Sequence, residues 1–82
     1  MMEEYRYGTS IVLTDPEWSG NDVRYLCVGD DGVFLAVTEG QQAKKDYLFL
    51  RKGNRICFEG KKETWKSEIE LKRLRNVKIV FR

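Results

Sequence analysis

Two nearly unbroken apolar runs, Val23–Gly29 and Val33–Thr38, are separated only by Asp30-Asp31-Gly32. Glycine tolerates the positive φ that tight hairpin turns need, so the segment predicts an antiparallel hairpin. Neither run alternates cleanly between apolar and polar. Both are almost continuously apolar, which places the ribbon at the centre of a sheet. A chain of 82 residues built around such a ribbon has room for one domain, residues 1–82.

Shorter β-like segments flank the hairpin. Tyr5, Tyr7, Thr9, Ile11 and Leu13 share one face of a first strand. Pro16 and Gly20 punctuate a loop over residues 15–22 with Trp18 at its tip. Residues 39–45 read as a polar loop. Residues 46–51 read as a strand with Leu48 and Leu50 opposite Tyr47 and Phe49, followed by a turn at Lys52-Gly53. Residues 54–59 form another strand, and Gly60-Lys61-Lys62 a further turn. The stretch 63–75 fits a strand through Trp65 and then one or two helical turns near 68–75. Ser67 and Glu70 would be the capping box there, and Asn76 the end. Val77, Ile79 and Phe81 alternate in a last strand. The fold class expected is mainly β: a small antiparallel barrel or sandwich of six or seven strands, SH3-like or a similar partly open barrel. The order of the strands is not legible in the sequence.

The chain lacks the groups that most catalysis needs. It has no histidine, which removes the commonest general base and every Ser-His or Cys-His pair. There is no phosphate-binding or dinucleotide glycine motif. Cys27 and Cys57 lie far apart without a Cys-x-x-Cys, so no zinc site is expected and both are read as small buried hydrophobes. Asp30 and Asp31 are read as turn formers, because the spacing around them misplaces the ligands of a calcium loop. No catalytic residue, metal or cofactor is expected, and the chain is read as a non-enzyme. No apolar run approaches the ~20 residues of a membrane span, and residues 1–6 are acidic and polar. With no glycosylation sequon, these features point to the cytoplasm.

Charge is distributed unevenly. Residues 1–42 hold two arginines against eight acidic side chains, a net −6, and residues 43–82 hold 13 basic and 5 acidic side chains, a net +8. The candidate binding residues are Lys44, Lys45, Arg51, Lys52, Arg55, Lys61 and Lys62, with Arg51, Lys52 and Arg55 expected around one hairpin tip. Trp18 and Tyr47 are added as anchors, since tryptophan is enriched at interface hot spots. An acidic and a basic surface on one small body predict docking on a protein partner, or self-association. The alternative is a barrel that binds nucleic acid through the 44–62 region, where cations lie among aromatics.

Overall fold

The computed structural model describes residues 4–63 and 68–80. In chain order the elements are β1 (Arg6–Val12), β2 (Glu17–Ser19), β3 (Asp22–Gly29), β4 (Gly32–Glu39), α1 (Gly40–Phe49), β5 (Arg55–Glu63) and β6 (Glu70–Ile79). Trp65, Ser67 and Phe81, which the sequence placed in strands or a cap, lie outside the described residues.

The predicted hairpin is present. β3 and β4 pair antiparallel from Asp22↔Glu39 to Gly29↔Gly32, leaving Asp30 and Asp31 as the turn. Gly32 closes it at φ 109°, a backbone value that disfavours any side chain. β1 pairs antiparallel with β5 over Arg6↔Gly60 to Ile11↔Arg55 and, at its end, with β3. β6 pairs antiparallel with β5 and parallel with β4. Five strands thus close in the order β1-β5-β6-β4-β3 and back to β1, with β2 added outside β3. The expected small barrel is there. The parallel β4–β6 pair makes it mixed rather than wholly antiparallel.

Its interior is filled by Val12, Val23, Tyr25, Cys27, Phe34, Ala36, Ile56, Phe58 and Leu74, together with Ala43 of α1 and Leu50 at the helix C-cap. Phe58 and Phe34 stack tilted, 5.9 Å apart. Gly8 and Gly60 flank the Phe58 ring; a Cβ on either would lie 3.1 or 3.0 Å from it. Absent side chains at these two strand positions let an aromatic ring lie against backbone.

α1 corrects the predicted loop at 39–45 and strand at 46–51. Ala43, Asp46 and Leu50 fall on one face at helical spacing and are buried, while Leu48 and Phe49 point outward. The helical stripe is hard to see because its centre is a carboxylate. Asp46 is 2% exposed. Tyr25 and Thr38 donate their hydroxyls to its Oδ2 at 3.0 and 2.9 Å, and Gln42 Nε2 donates to Oδ1 at 2.8 Å. Gln42 Oε1 in turn accepts from the Val77 N–H at 3.0 Å. One polar network therefore fastens the helix to β3, β4 and β6.

Two further expectations change. Residues 60–62 are not a turn, because β5 runs on to Glu63. Residues 70–75 are not helical, because β6 buries Leu71 and Leu74 and pairs with both β4 and β5. Asn76 does not end a helix. It takes φ 53° where β6 carries one residue more than β5 between Cys57↔Lys78 and Glu59↔Arg75, a bulge that returns Val77 and Ile79 to the core. Both cysteines are free, but only Cys27 is interior. Burial pushes its thiol up to about 12, against the pull of the Ser10 hydroxyl, so it is inert. Cys57 is half-buried on the outer side of β5, with Thr9 and Lys78 opposite it.

Candidate docking surface

Inward residues of β3 and β4 fill the barrel, so their neighbours must face out. Toward the hairpin tip those neighbours are aliphatic; toward α1 they are Arg24 beside the buried Val37, and Asp22 beside Glu39. Ile11 pairs with Val28, and Val28 with Val33, in one cross-strand row. Leu26 pairs with Leu35, and Leu35 with Leu71, in the next. Leu13 joins this row through its N–H, which donates to the Leu26 carbonyl at 2.8 Å. Leu71 is buried, whereas Leu13, Leu26, Val28 and Leu35 are half-buried and Val33 is 47% exposed. An apolar stripe thus runs along the outside of the ribbon. The sequence placed these runs at the centre of the sheet, where β4 and β3 do lie. In a closed barrel one side is core and the other is surface.

β2 borders this stripe. It folds back on β3 with Trp18 opposite Val23, and an open groove of about 630 Å³ lies between Trp18, Thr14, Leu26 and Leu35. Trp18 is 45% exposed, and its ring centroid is 5.9 Å from that of Tyr47 on α1. Beyond Tyr47 the helix presents Leu48 and Phe49, 62% and 66% exposed. Lys44 and Lys45 stand on the exposed side of the same helix. Arg51 Nη1 donates to the carbonyls of Tyr47 and Leu50 at 3.2 and 2.6 Å, placing a cation at the helix C-terminus where the dipole favours it. The Lys52 N–H donates to Asp15 Oδ1 at 2.8 Å and ties the loop before β2 to the helix end.

The stripe therefore has an acidic tip at one end and mixed charge at the other, where Glu17, Asp22, Arg24 and Glu39 lie. Asp30 and Asp31 form the tip where Gly29 meets Gly32, and α1 with its cations begins at the other end, where Asp22 meets Glu39. Among the described residues, no ion pair engages Asp30, Asp31, Lys44, Lys45 or the Lys52 ammonium.

The structure splits the predicted basic cluster. Lys44, Lys45, Arg51, Lys52, Trp18 and Tyr47 come together around α1. Arg55, Lys61 and Lys62 do not join them. Arg55 begins β5 on the outer side, and the expected tip shared with Arg51 and Lys52 is a helix-to-strand loop instead. Lys61 lies 5.3 Å over the Tyr5 ring, which also carries Arg75 at 3.8 Å. Lys62 is at the opposite barrel mouth, 3.3 Å from Glu70, a carboxylate it shares with Lys72. Much of the charge on β5 and β6 is internally compensated: Arg73 bonds Glu63 at 2.7 Å and Glu39 at 3.1 Å, and Arg75 bonds Glu59 at 2.8 Å. Hydrogen bonds from Arg75 and Arg73 hold the Glu59 and Glu63 carboxyls below their ordinary range.

The mouth holds a second cavity of about 380 Å³, floored by Phe34 and Phe58 and rimmed by charges of both signs. Lys72 lies 4.5 Å over the Phe34 ring. Among the described residues no cluster of three metal-ligating side chains exists, and no helix is long and apolar enough to cross a membrane.

Five strands closed in this order, with the third and fifth parallel and a helix between the third and fourth, define a Greek-key barrel of one kind. The crystal structure of the tetrameric p202 HIN2 is similar to it, with a TM-score of 0.72 over 99% of this chain and 18% sequence identity. The barrel is OB-like. At that identity the likeness concerns the fold alone, and this chain spans 43% of the length of that structure. No family model matches the chain, and no curated protein matches it in sequence. In OB-like terms, β3 and β4 are the second and third barrel strands, so the apolar stripe lies on the outside of that pair.

Proposed function

We propose that this chain is a non-catalytic, cytoplasmic binding module that docks on a protein through the outer face of β3–β4 and the adjoining end of α1. The observation that carries this is the apolar stripe itself: aliphatic rows on the outside of a barrel, continued through Trp18 and Tyr47 to the exposed Leu48 and Phe49. Contiguous apolar surface rimmed by charge marks interaction sites, and aromatic anchors at the centre of such a surface supply most of the binding energy. OB barrels use the outside of their second and third strands for ligands. Here that face offers aliphatic side chains and an acidic tip, which suit a protein surface and repel a phosphate backbone. A protein of this fold, p202 HIN2, forms a tetramer, which supports barrel-to-protein docking as a use of the architecture.

A photo-crosslinking side chain placed at Val33 is expected to capture a protein adduct in cells, and the same group at Lys78, on the far side, is expected to capture none. Equal capture at both positions, or none at Val33, would reject the docking face.

A second reading has its own observation. The outer face of β1, β5 and β6 carries Tyr5 between Arg75 and Lys61, the exposed Tyr7, and the cations Arg55 and Lys78. Aromatics among cations can stack and neutralise single-stranded nucleic acid. If so, short RNA or DNA binds at low salt with an affinity that falls steeply as salt rises, and Tyr5→Ala with Arg75→Ala weakens it. Anisotropy that stays flat at low salt excludes this use.

A further inference from the structure

The last turn of α1 is built differently on its two sides. At 3.6 residues per turn, Tyr47 and Phe49 stand about 200° apart around the helix. Tyr47 turns to Trp18, so Phe49 lies on the other flank, and Leu48 points away from the barrel, opposite the buried Ala43 and Asp46. Leu48 and Phe49 are 62% and 66% exposed. Lys44 and Lys45 precede them by four residues each, so every lysine shares a helix row with an apolar side chain. Arg51 and Lys52 follow directly, both exposed.

This outward side has one sign of charge. Residues 40–58 carry five basic side chains and one acidic, and the acidic one is the buried Asp46. Toward Trp18 the surface also holds Asp15, whose Oδ1 accepts from the Lys52 N–H, and Glu17, which stands opposite Arg24. Asp22 and Glu39 meet where the helix begins, about 15 Å from its end by the usual rise over ten residues. Among the described residues no ion pair engages Lys44, Lys45, Arg51 or the Lys52 ammonium.

We propose that the end of α1 is a membrane-contact site, which seats Leu48 and Phe49 in the interface of an anionic lipid bilayer with Lys44, Lys45, Arg51 and Lys52 at the level of its headgroups. Lysine is depleted at protein interfaces. Exposed leucine and phenylalanine among cations are instead what an interfacial helix needs: the apolar pair partitions into the acyl boundary and the basic side chains meet anionic lipid. The long lysine stems also reach the headgroups while leaving the apolar tip free to enter. The site goes beyond the docking reading. The β3–β4 stripe, Trp18 and Tyr47 stay open to a protein while the helix tip is in the bilayer.

The test is co-sedimentation of the purified chain with vesicles of phosphatidylcholine alone or mixed with phosphatidylserine. Binding is expected to the mixed vesicles only, and to weaken as salt rises. Lys44→Glu with Lys45→Glu is expected to weaken it by roughly tenfold or more. Leu48→Ser with Phe49→Ser is expected to abolish it at moderate salt. Both double variants should keep the wild-type circular dichroism, since all four side chains are exposed. A polarity-sensitive dye on Leu48→Cys in a Cys57→Ser background should shift to the blue with mixed vesicles, and the same dye on Lys78→Cys should not. No sedimentation at low salt overturns the proposal. So does equal binding to uncharged vesicles, binding that survives Leu48→Ser with Phe49→Ser, or a dye at position 48 that stays in water. If Lys44→Glu with Lys45→Glu weakens binding to short single-stranded DNA and leaves vesicle binding unchanged, these cations serve nucleic acid and the membrane site is ruled out. Capture of a protein at Val33 is read separately, so either result can fail without the other.

Discussion

Asp46→Ala is expected to destabilise the barrel by about 3 kcal/mol. Removing the carboxylate orphans the buried hydroxyls of Tyr25 and Thr38, each at a cost of about 1–3 kcal/mol, while relief of a buried charge offsets part of the loss. For a domain of this size that corresponds to a fall of roughly 12–24 °C in Tm. Asp46→Asn is expected to cost much less. Its amide oxygen still accepts from Tyr25 and Thr38, but its NH2 faces Gln42 Nε2, and Gln42 is held in place by the Val77 N–H. One hydrogen bond is lost, about 1 kcal/mol.

The pair of variants also isolates a pH effect. Burial raises the Asp46 carboxyl above its ordinary value of 3.8, against the hydrogen bonds of Gln42, Thr38 and Tyr25 that lower it. The folded state therefore holds this proton more tightly than the unfolded chain does. The stability tied to that proton is fully present below 3.8 and is lost as pH rises through the folded value. Glu59 and Glu63 act in the opposite sense: their folded values are lowered, so their contribution is present above 4.5 and lost as pH falls. Urea denaturation of wild type and Asp46→Asn from pH 4 to 8 cancels the glutamates, which both proteins share. The stability of the wild type relative to the variant should decline as pH rises. A difference independent of pH would contradict the raised carboxyl.

Phe58→Ala carries the largest expected cost, about 4 kcal/mol, in the range for losing a buried phenylalanine. A chain of this length has a total stability of about 4–12 kcal/mol, so the variant is expected to be largely unfolded at 37 °C. The ring also covers the backbone of Gly8 and Gly60, which supplies a control. Alone, Gly8→Ala puts a methyl group 3.1 Å from the ring and should destabilise. In the Phe58→Ala background the same methyl group enters the vacated space, and the change should be neutral or stabilising. A double-mutant cycle by chemical denaturation reads this coupling directly. Additive effects would mean that the ring does not rest on the glycine.

What the sequence disclosed followed from local rules, and what it hid depended on closure. The β3–β4 hairpin was legible because Asp30-Asp31-Gly32 fixes a turn without help from the rest of the chain. β1 and β5 were legible as strands, but the face of β1 that alternation singled out, with Tyr7, Thr9 and Ile11, is the outward one, and Val12 on the other face is core. The helix was missed because Tyr47-Leu48-Phe49-Leu50 alternates no worse as a strand and because its buried face is centred on Asp46, a residue that no hydrophobic pattern selects. β6 was half missed because its first part is specified by parallel pairing with β4, a long-range partner. Trp18 and Tyr47 were each legible as exposed aromatics, but nothing local could show that their rings lie together. The central place of the β3–β4 ribbon was legible from its apolar sequence, but which of its side chains face out could be read only from the closed barrel.

The way the barrel closes also governs when it can form. β1 leaves the ribosome first, yet its main partner is β5, with Arg6 opposite Gly60, and its other contact with β3 is confined to Ile11 and Val12. β6 must then arrive to join β4 to β5. Until most of the chain is synthesised, β1 presents unpaired backbone and the β3–β4 hairpin exposes apolar side chains on both of its faces. Such dependence on distant partners slows folding and lengthens the interval in which nascent chains can associate wrongly. The interior therefore assembles only once β6 has emerged, and a nascent chain that stalls before β6 is a candidate for chaperone capture.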